Sequence, residues 1–461
     1  MSNYLMKKAG VLFAILLVLL AALGMVGQTI HERERYQDQV VRQVAQSTSN
    51  EQTLTGPILV IPYEVADTSS NLKTGWEEVH TQSFNYYVLP QALHVSGKAD
   101  VQARKLGIYQ AQVYAAEMVF QGRFGQIQLD ALSQKEGFLR LGKPYFVMAL
   151  SDARGIMGIS QFSLNGRQFD FKEGVIDSHF DKGVHVPVNM DELMAANADN
   201  RFAFTLNVQG TEKLSVVPLG RESELSLQSN WQHPNFVGSM LPHSRAINEQ
   251  GFSAQWQSSW FANNMNDQFG DDLAPYLKSE NLPAFSVGMV QTVSQYLLNE
   301  RTVKYAILFI GLTFISFVAF ELVSHLRIHP VQYLLVGAAL VMFYLLLLAF
   351  SERIGFAWSY LVAAVSCSGL IGVYLCSVLK GLARGMGFTG GLLALYGLLF
   401  VILQSEDQAL LLGSVLLFVV LAAVMLGTRR VDWYQLTASF DMSRAARHGP
   451  RSAAGQPYPD E

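Results

Sequence analysis

The stretch NEQTLTGPILVIPY, residues Asn50–Tyr63, decides how the chain is organised. It predicts a buried β-strand, because the apolar run Ile58–Ile61 follows the turn-forming pair Gly56-Pro57. It comes shortly after an apolar run that ends at Ile30 and is long enough for a membrane-spanning helix. A β-strand this close to such a helix predicts a folded domain tied directly to a membrane anchor, with Gly56-Pro57 turning the chain off the helix.

The first apolar run, Ala9–Ile30, follows Lys7 and Lys8 and predicts a transmembrane helix. It is long enough to cross a hydrocarbon core of about 30 Å. A cleaved signal peptide is the alternative, but its apolar part is usually only about 7–15 residues long. No clean small-residue cleavage site precedes the polar sequence HERERY. We therefore predict an uncleaved anchor, with residues 1–30 forming a cytoplasmic N-terminus and the first span.

The last third of the chain, residues 301–433, carries five more apolar segments. Each has about the length that a tilted transmembrane helix needs. The remaining residues, 434–461, predict a disordered cytoplasmic tail. The five predicted spans are residues 305–323, 331–350, 356–378, 386–403 and 409–427.

Basic residues predict the orientation of these spans, because cytoplasmic loops of membrane proteins are enriched in Lys and Arg. With both termini in the cytoplasm, the short loops on the opposite side hold only Arg353 as a base. The large segment 31–300 then lies outside the cytoplasm, in the periplasm. The bases placed on the cytoplasmic side are Lys7, Lys8, Arg327, Lys380, Arg384, Arg429 and Arg430.

The large segment begins with a helical pattern and continues with strand patterns. Tyr36, Val40 and Val44 are four residues apart, so residues 31–48 predict a helical stalk that continues the first span. Apolar residues then alternate with polar ones over 93–104 and 202–209, which is typical of half-buried strands.

Further alternating segments, together with turns such as LNGRQ and HPNF, predict an antiparallel β-rich domain of the sandwich or barrel-like kind. Short helices are predicted at MDELMAAN and LAPYLKSE. The fold class is thus a mixed membrane protein: one N-terminal transmembrane helix, a large extracytoplasmic β-rich domain, and a C-terminal bundle of five transmembrane helices.

The sequence carries no recognisable catalytic, cofactor or metal motif. It contains no GxSxG, Walker or HExxH pattern. Its two cysteines, Cys367 and Cys376, share one apolar segment and form neither a disulfide framework nor a metal-ligand pattern. The net charge of -4 gives no reason to expect a nucleic acid as a partner. We therefore predict no catalytic, cofactor-binding or metal-binding residues.

Glu321 is the candidate functional residue in the membrane, because a charged group there is costly to bury. It lies in FISFVAFELVSHLRIHP, near the end of the first span after the domain. It could be a buried relay group. The alternative is an interfacial residue near His325 or Arg327, which is the interpretation that we favour.

Long stretches of the chain resemble the CreD family of bacterial inner-membrane proteins. The resemblance lies in ERERY with NEQTLTGPILVIPY, in LPHSRAINEQGFSAQWQSSWFANN, and in RIHPVQYLLVGAALVMFYLLLLAFSERIGFAWSYL with TRRVDWY. It extends to about Tyr434. It implies an inner-membrane protein linked with cell-envelope integrity, expressed under the Cre two-component system in envelope and β-lactam stress. It supplies no catalytic residue and no ligand.

Three functions are compatible with this organisation. The one we favour is a non-enzymatic envelope-integrity protein whose outer domain binds an envelope protein or a cell-wall component. The second is a transporter or lipid-handling protein that uses the five-helix bundle, with membrane lipid as its partner. The third is an enzyme acting on an envelope polymer, and it ranks last because the sequence shows no paired carboxylate signature.

Overall fold

The computed structural model describes most of the chain. The described residues are 3–70, 77–177, 179–194, 199–259, 261, 268–270, 282–289, 295–323, 328–378, 381–404 and 409–429. The predicted helix at LAPYLKSE and the tail 434–461 lie outside them. The contacts divide the chain into a helical unit, residues Met1–Arg35 with Val293–Glu461, and a second unit, Tyr36–Thr292, which we call the β-domain.

The helical unit contains the helices that flank the β-domain in the sequence. Five described helices are long and apolar enough to cross a membrane, one before the β-domain and four after it. These are the long helix α1 and helices α4 to α7, and a further apolar helix, α8, covers the last predicted span. The bounds are α1 Asn3–Ser47, α4 Gln295–Val323, α5 Pro330–Ile354, α6 Phe356–Val378, α7 Leu382–Gln404 and α8 Ala409–Thr428.

Helix α1 runs without interruption from the helical unit into the β-domain. The predicted stalk, residues 31–48, falls almost entirely within this helix, which ends at Ser47. Within the helical unit, α1 packs closely on α5 at Gly337, where an added Cβ would collide with the end of the Leu19 side chain. A residue without a side chain at this position therefore lets the two helices approach each other.

The β-domain contains nineteen described strands and two short helices. The helices are α2, Asp130–Ser133, and α3, Met190–Leu193, the latter within the predicted MDELMAAN segment. The first ten strands are β1 Gln52–Ser70, β2 Glu77–Val88, β3 Ala92–Leu106, β4 Tyr109–Arg123, β5 Phe138–Leu141, β6 Tyr145–Leu150, β7 Ile156–Ile159, β8 Phe162–Leu164, β9 Arg167–Phe169 and β10 Lys172–Glu173. The others are β11 Gly183–Pro187, β12 Arg201–Thr211, β13 Lys213–Val216, β14 Glu222–Ser229, β15 Asn235–Val237, β16 Ser244–Asn248, β17 Gly251–Ser259, β18 Gln268–Gly270 and β19 Phe285–Gly288.

These strands form two sheets. The first has the order β10-β11-β6-β1-β13-β19-β15, with β2, β5 and β18 attached beside it. The second has the order β16-β17-β14-β3-β4-β12-β8-β9, with β7 paired to β12. Most neighbours are antiparallel, but β1 pairs with β13 and β3 pairs with β14 in parallel. The predicted β-rich fold class is confirmed, as a sandwich of mixed sheets.

The core of the β-domain lies between the two sheets. Phe146 of the first sheet packs on Phe162 of the second, with ring centroids 4.7 Å apart, and Trp256 lies 6.3 Å from Phe285 in the same way. The alternation that predicted the strands produces this core. In β14, for example, exposed and buried residues alternate along the whole strand, and the buried ones, such as Leu225, face the core.

The prediction that Gly56-Pro57 turns the chain off the helix is wrong. The helix ends at Ser47, and Gly56 and Pro57 lie inside β1, where the pairing with β6 shifts register between Thr55 and Ile58. Proline has no backbone N–H to donate, so it is accommodated in a strand where the ladder is interrupted.

Candidate functional site

Glu321, the candidate from the sequence, is the centre of a polar cluster among three helices of the helical unit. One carboxylate oxygen forms an ion pair with Lys8 of α1. The other accepts a hydrogen bond of 2.6 Å from the hydroxyl of Tyr333 in α5. The Lys8 ammonium also lies 5.7 Å from the centre of the Tyr333 ring.

This cluster accounts for the burial of Glu321. Its side chain is 12% exposed and that of Lys8 is 15% exposed, so each charge compensates the other where water is scarce. The residues that the sequence offered as neighbours, His325 and Arg327, lie outside the described residues. The observed partners, Lys8 and Tyr333, lie on other helices. Glu321 of α4 therefore links its own helix to α1 and α5.

A second polar cluster joins the same three helices near the other ends of α4 and α5. Glu352 of α5 lies 3.8 Å from the Arg33 guanidinium of α1 and accepts a hydrogen bond of 3.1 Å from the hydroxyl of Tyr296 in α4. One turn further along α4, Asn299 donates to Ser351 at 2.9 Å. The three helices are therefore joined by two separate sets of polar contacts.

In the β-domain, a buried carboxylate joins the end of α1 to the sheet. Asp152 is 2% exposed at its side chain and forms an ion pair of 2.6 Å with Arg154. It also accepts hydrogen bonds of 3.1 Å from the backbone and the side chain of Asn50. Arg154 in turn donates to the carbonyl of Gln46, in the last turns of α1. The Arg154 guanidinium holds the pKa of Asp152 well below its usual range.

The backbone approaches so closely at this junction that only glycine fits at position 155. A Cβ there would collide with the Gln209 carbonyl and the Gln52 amide. That amide donates to Ser49 at 2.6 Å and to the Asp152 carbonyl at 2.7 Å. We call Ser49, Asn50, Gln52, Asp152 and Arg154 the junction cluster. Its contacts fix the position at which the chain passes from helix to strand.

A cavity of about 820 Å³ opens on the face of the first sheet that points away from the core. Its volume lies within the range of roughly 300–1,000 Å³ that is usual for small-molecule sites. Strands β1, β6, β13 and β19 form its floor, and residues 179–182 form part of its wall. This cavity is the candidate binding site of the β-domain.

The wall of the cavity includes a histidine, His179, whose ring is held by hydrogen-bonding partners on the protein side. The Nδ1 atom of His179 lies 2.8 Å from Asp177 and 2.9 Å from the Tyr87 hydroxyl. Tyr87 donates a hydrogen bond of 2.6 Å to the same carboxylate. The Asp177 side chain is fully buried, whereas that of His179 is 21% exposed. The carboxylate and the phenol thus orient the imidazole at the edge of the cavity.

The sequence alone did not reveal this group. Asp177 and His179 are neighbours in IDSHFD, but Tyr87 comes from a distant strand, and no catalytic motif has this spacing. Across the described part of the chain, no three His, Cys, Asp or Glu side chains are grouped so that they could hold a metal ion. The arrangement orients a hydrogen-bonding imidazole and supplies no ready-made metal site.

We expect Tyr87→Phe to lower the free energy of unfolding of the β-domain by about 2 kcal/mol, because it removes a buried hydrogen bond to a charged group. Tyr109→Phe is the matched control. Among the described residues, the buried Tyr109 hydroxyl has no hydrogen-bond partner, so its removal is expected to be neutral or slightly stabilising. Thermal unfolding of both variants measures the difference. Equal loss of stability in the two would contradict the assigned bond.

The architecture defines an integral membrane protein with a β-sandwich inserted in the sequence between its first and second spanning helices. The family model described as "Inner membrane protein CreD" matches residues 4–434. A curated relative, "Inner membrane protein CreD" of Escherichia coli strain K12, is 42% identical over 429 residues, covering 92% of each chain. The chain belongs to the CreD family.

A solved structure with a local likeness carries no argument about this chain. Native yeast LTA4 hydrolase matches with 10% identity and a TM-score of 0.18, covering 41% of this chain and 27% of that one.

Proposed function

We propose that this protein is a non-enzymatic inner-membrane protein that maintains cell-envelope integrity. Its expression is under the Cre two-component system, and it acts in envelope and β-lactam stress. The β-domain lies in the periplasm, where it binds an envelope component or a partner protein, and both chain termini lie in the cytoplasm. Membership of a family of inner-membrane proteins supports this role, and it shows the membrane location directly.

One observation carries the proposal: the β-domain is inserted between two helices of a single helical unit. In the sequence, the chain enters the domain after α1 and returns to the helical unit at α4. Such a double attachment keeps a binding domain at the membrane. A soluble carrier would have no use for it. The uneven distribution of Lys and Arg supports the periplasmic placement.

The buried charge in the bundle does not require a transport function. A transported ion or lipid needs groups that can exchange partners, whereas Glu321 is paired with Lys8 and Tyr333. The two separate sets of polar contacts among α1, α4 and α5 support a passive anchor. We therefore keep the envelope role ahead of the transporter role.

Complementation with labelled variants tests the proposal. A Gram-negative strain lacking its own CreD-family gene receives the full chain carrying Cys367→Ala, Cys376→Ala and one new cysteine, either Ser226→Cys in the β-domain or Arg429→Cys after α8. We expect restored growth under β-lactam or detergent stress. A membrane-impermeant maleimide should label the Ser226→Cys chain in spheroplasts and the Arg429→Cys chain only after lysis. Failure to restore growth, or the opposite labelling pattern, would overturn the proposal.

A further inference from the structure

The floor of the β-domain cavity carries a row of hydroxyl groups across three neighbouring strands. Thr53 of β1 pairs with Ser215 of β13, and Ser215 pairs with Ser286 of β19. The three side chains therefore stand side by side on the cavity face, about 4.8 Å from strand to strand. Thr55, also on β1, adds a fourth hydroxyl to the floor.

The residues Thr55, Ser215 and Ser286 are buried and Thr53 is half-buried, and the protein uses their hydroxyls incompletely. Ser286 donates to Ser215 at 2.9 Å, and both residues are 3% exposed. Within the described part of the chain, the hydroxyls of Thr53 and Thr55 have no hydrogen-bond partner, although Thr55 is only 8% exposed. Each hydroxyl can donate one hydrogen bond and accept two. Valine or alanine would be the usual residues for a buried strand face, so the row offers unused donors and acceptors to a ligand.

Among the described residues that line the cavity, the charged side chains balance each other. Lys182 and Lys213 are offset by Glu51 and Asp181, and Lys213 lies 3.9 Å from Glu51. A site for an anion would show an excess of bases, and a site for a cation an excess of carboxylates. The balance favours a neutral ligand that bonds through many weak polar contacts.

Flat side chains complete the wall. Phe180 lines the cavity beside His179, whose ring is fixed by Asp177 and Tyr87 as described above. Aromatic faces pack well on the apolar C–H faces of sugar rings, while the hydroxyl row has the spacing of polar groups across one such ring. A peptide is disfavoured because β1, β13 and β19 lie inside the sheet and offer no free backbone edge for strand addition.

We propose that this cavity binds a neutral saccharide through the hydroxyl row Thr53–Ser215–Ser286. The inference rests on the proposed function, because it names the envelope component that the β-domain recognises. Two sources share this chemistry: a cell-wall glycan and the sugar headgroup of a glycolipid. The row supplies the polar contacts, and the ring of His179, whose side chain is 21% exposed, supplies the stacking surface.

Calorimetric titration of the full chain tests this assignment. The protein is reconstituted in phosphatidylcholine nanodiscs, because detergents with sugar headgroups would compete. The probe is chitotetraose, a neutral oligosaccharide, and glucosyl diacylglycerol added to the nanodiscs represents the lipid source. Inorganic phosphate serves as the anionic probe.

We expect saturable binding of chitotetraose, weakened roughly tenfold or more by Ser215→Ala with Ser286→Ala, since each lost neutral hydrogen bond weakens affinity several-fold. Thr53→Val keeps the shape and strand preference of the residue, so it tests the same row without endangering the fold. The matched control, Ser226→Ala with Ser253→Ala, changes two exposed serines of the second sheet and should leave affinity unchanged.

The other outcomes are equally definite. Competition of chitotetraose by the glycolipid would support the site and identify lipid as its source. Absence of binding by both sugars, sugar binding that the row variants leave unchanged, or displacement of the sugar by phosphate would each overturn the assignment. If one of these overturning results is found while the chain still restores growth, the saccharide site is wrong but the envelope role stands.

Discussion

Asp152→Ala is expected to lower the free energy of unfolding of the β-domain by about 3 kcal/mol, because it removes a buried carboxylate that accepts several hydrogen bonds. The carboxylate accepts hydrogen bonds from Arg154 and Asn50, and the side chain of Asp152 is 2% exposed. Without it, the last turns of α1 lose their attachment to the sheet through Arg154. For a domain of this size, the loss corresponds to a fall in Tm of roughly 6–12 °C.

Hydrogen–deuterium exchange in the full chain gives this prediction a local test. Amides at the start of β1 should exchange faster in Asp152→Ala. The matched control, Asp170→Ala, removes an exposed carboxylate that accepts a single hydrogen bond of 2.8 Å from Gln161. Its expected effect is within about 0.5 kcal/mol. Unchanged exchange at β1 in Asp152→Ala would show that the junction cluster does not hold the strand.

The same carboxylate makes stability depend on pH. Arg154 holds the pKa of Asp152 below its usual range in the folded state. In the unfolded chain, the same carboxyl has a pKa of about 3.9. The stabilisation is therefore fully present above the unfolded pKa and is lost as pH falls through the folded one. The stability difference between the wild-type protein and Asp152→Asn should shrink as the pH is lowered from about 6 to about 3.

Glu321→Gln is expected to destabilise the helical unit by about 3 kcal/mol, because it leaves the Lys8 ammonium without its counter-charge in a place that excludes water. Lys8→Met alone should cost a similar amount by leaving the carboxylate unpaired. The double variant, Lys8→Met with Glu321→Gln, should cost less than either single change, because it removes both charges together. A double-mutant cycle on thermal unfolding in nanodiscs measures the coupling between the residues.

This cycle also separates a structural role from a functional one. If Glu321 only joins α1 to α4 and α5, the double variant should regain both folding and growth complementation. Arg353→Gln is the control, a change to a charged residue in the last turn of α5, and it should leave folding intact. A double variant that folds normally but fails to complement would assign Glu321 a functional role and revive the transporter hypothesis.

Local patterns were enough to predict the long helices and several of the strands. Alternation at residues 93–104 and 202–209 predicted β3 and β12, and the four-residue spacing of Tyr36, Val40 and Val44 predicted the end of α1. These patterns report which side of an element is buried, and burial is what the fold requires of them. The prediction that Gly56-Pro57 forms a turn was wrong, because the same pair also fits a strand whose hydrogen-bond ladder is interrupted.

The sequence by itself determined the membrane helices, the inserted β-rich domain, the family and the choice of Glu321 as a residue of interest. Only the tertiary structure decided which groups meet. Lys8 and Tyr333 reach Glu321, Tyr87 reaches Asp177, and Thr53 lines up with Ser215 and Ser286, in each case across long separations in the chain. Hydrophobic periodicity records burial one element at a time, whereas a polar contact depends on register and packing between elements, which no local pattern specifies.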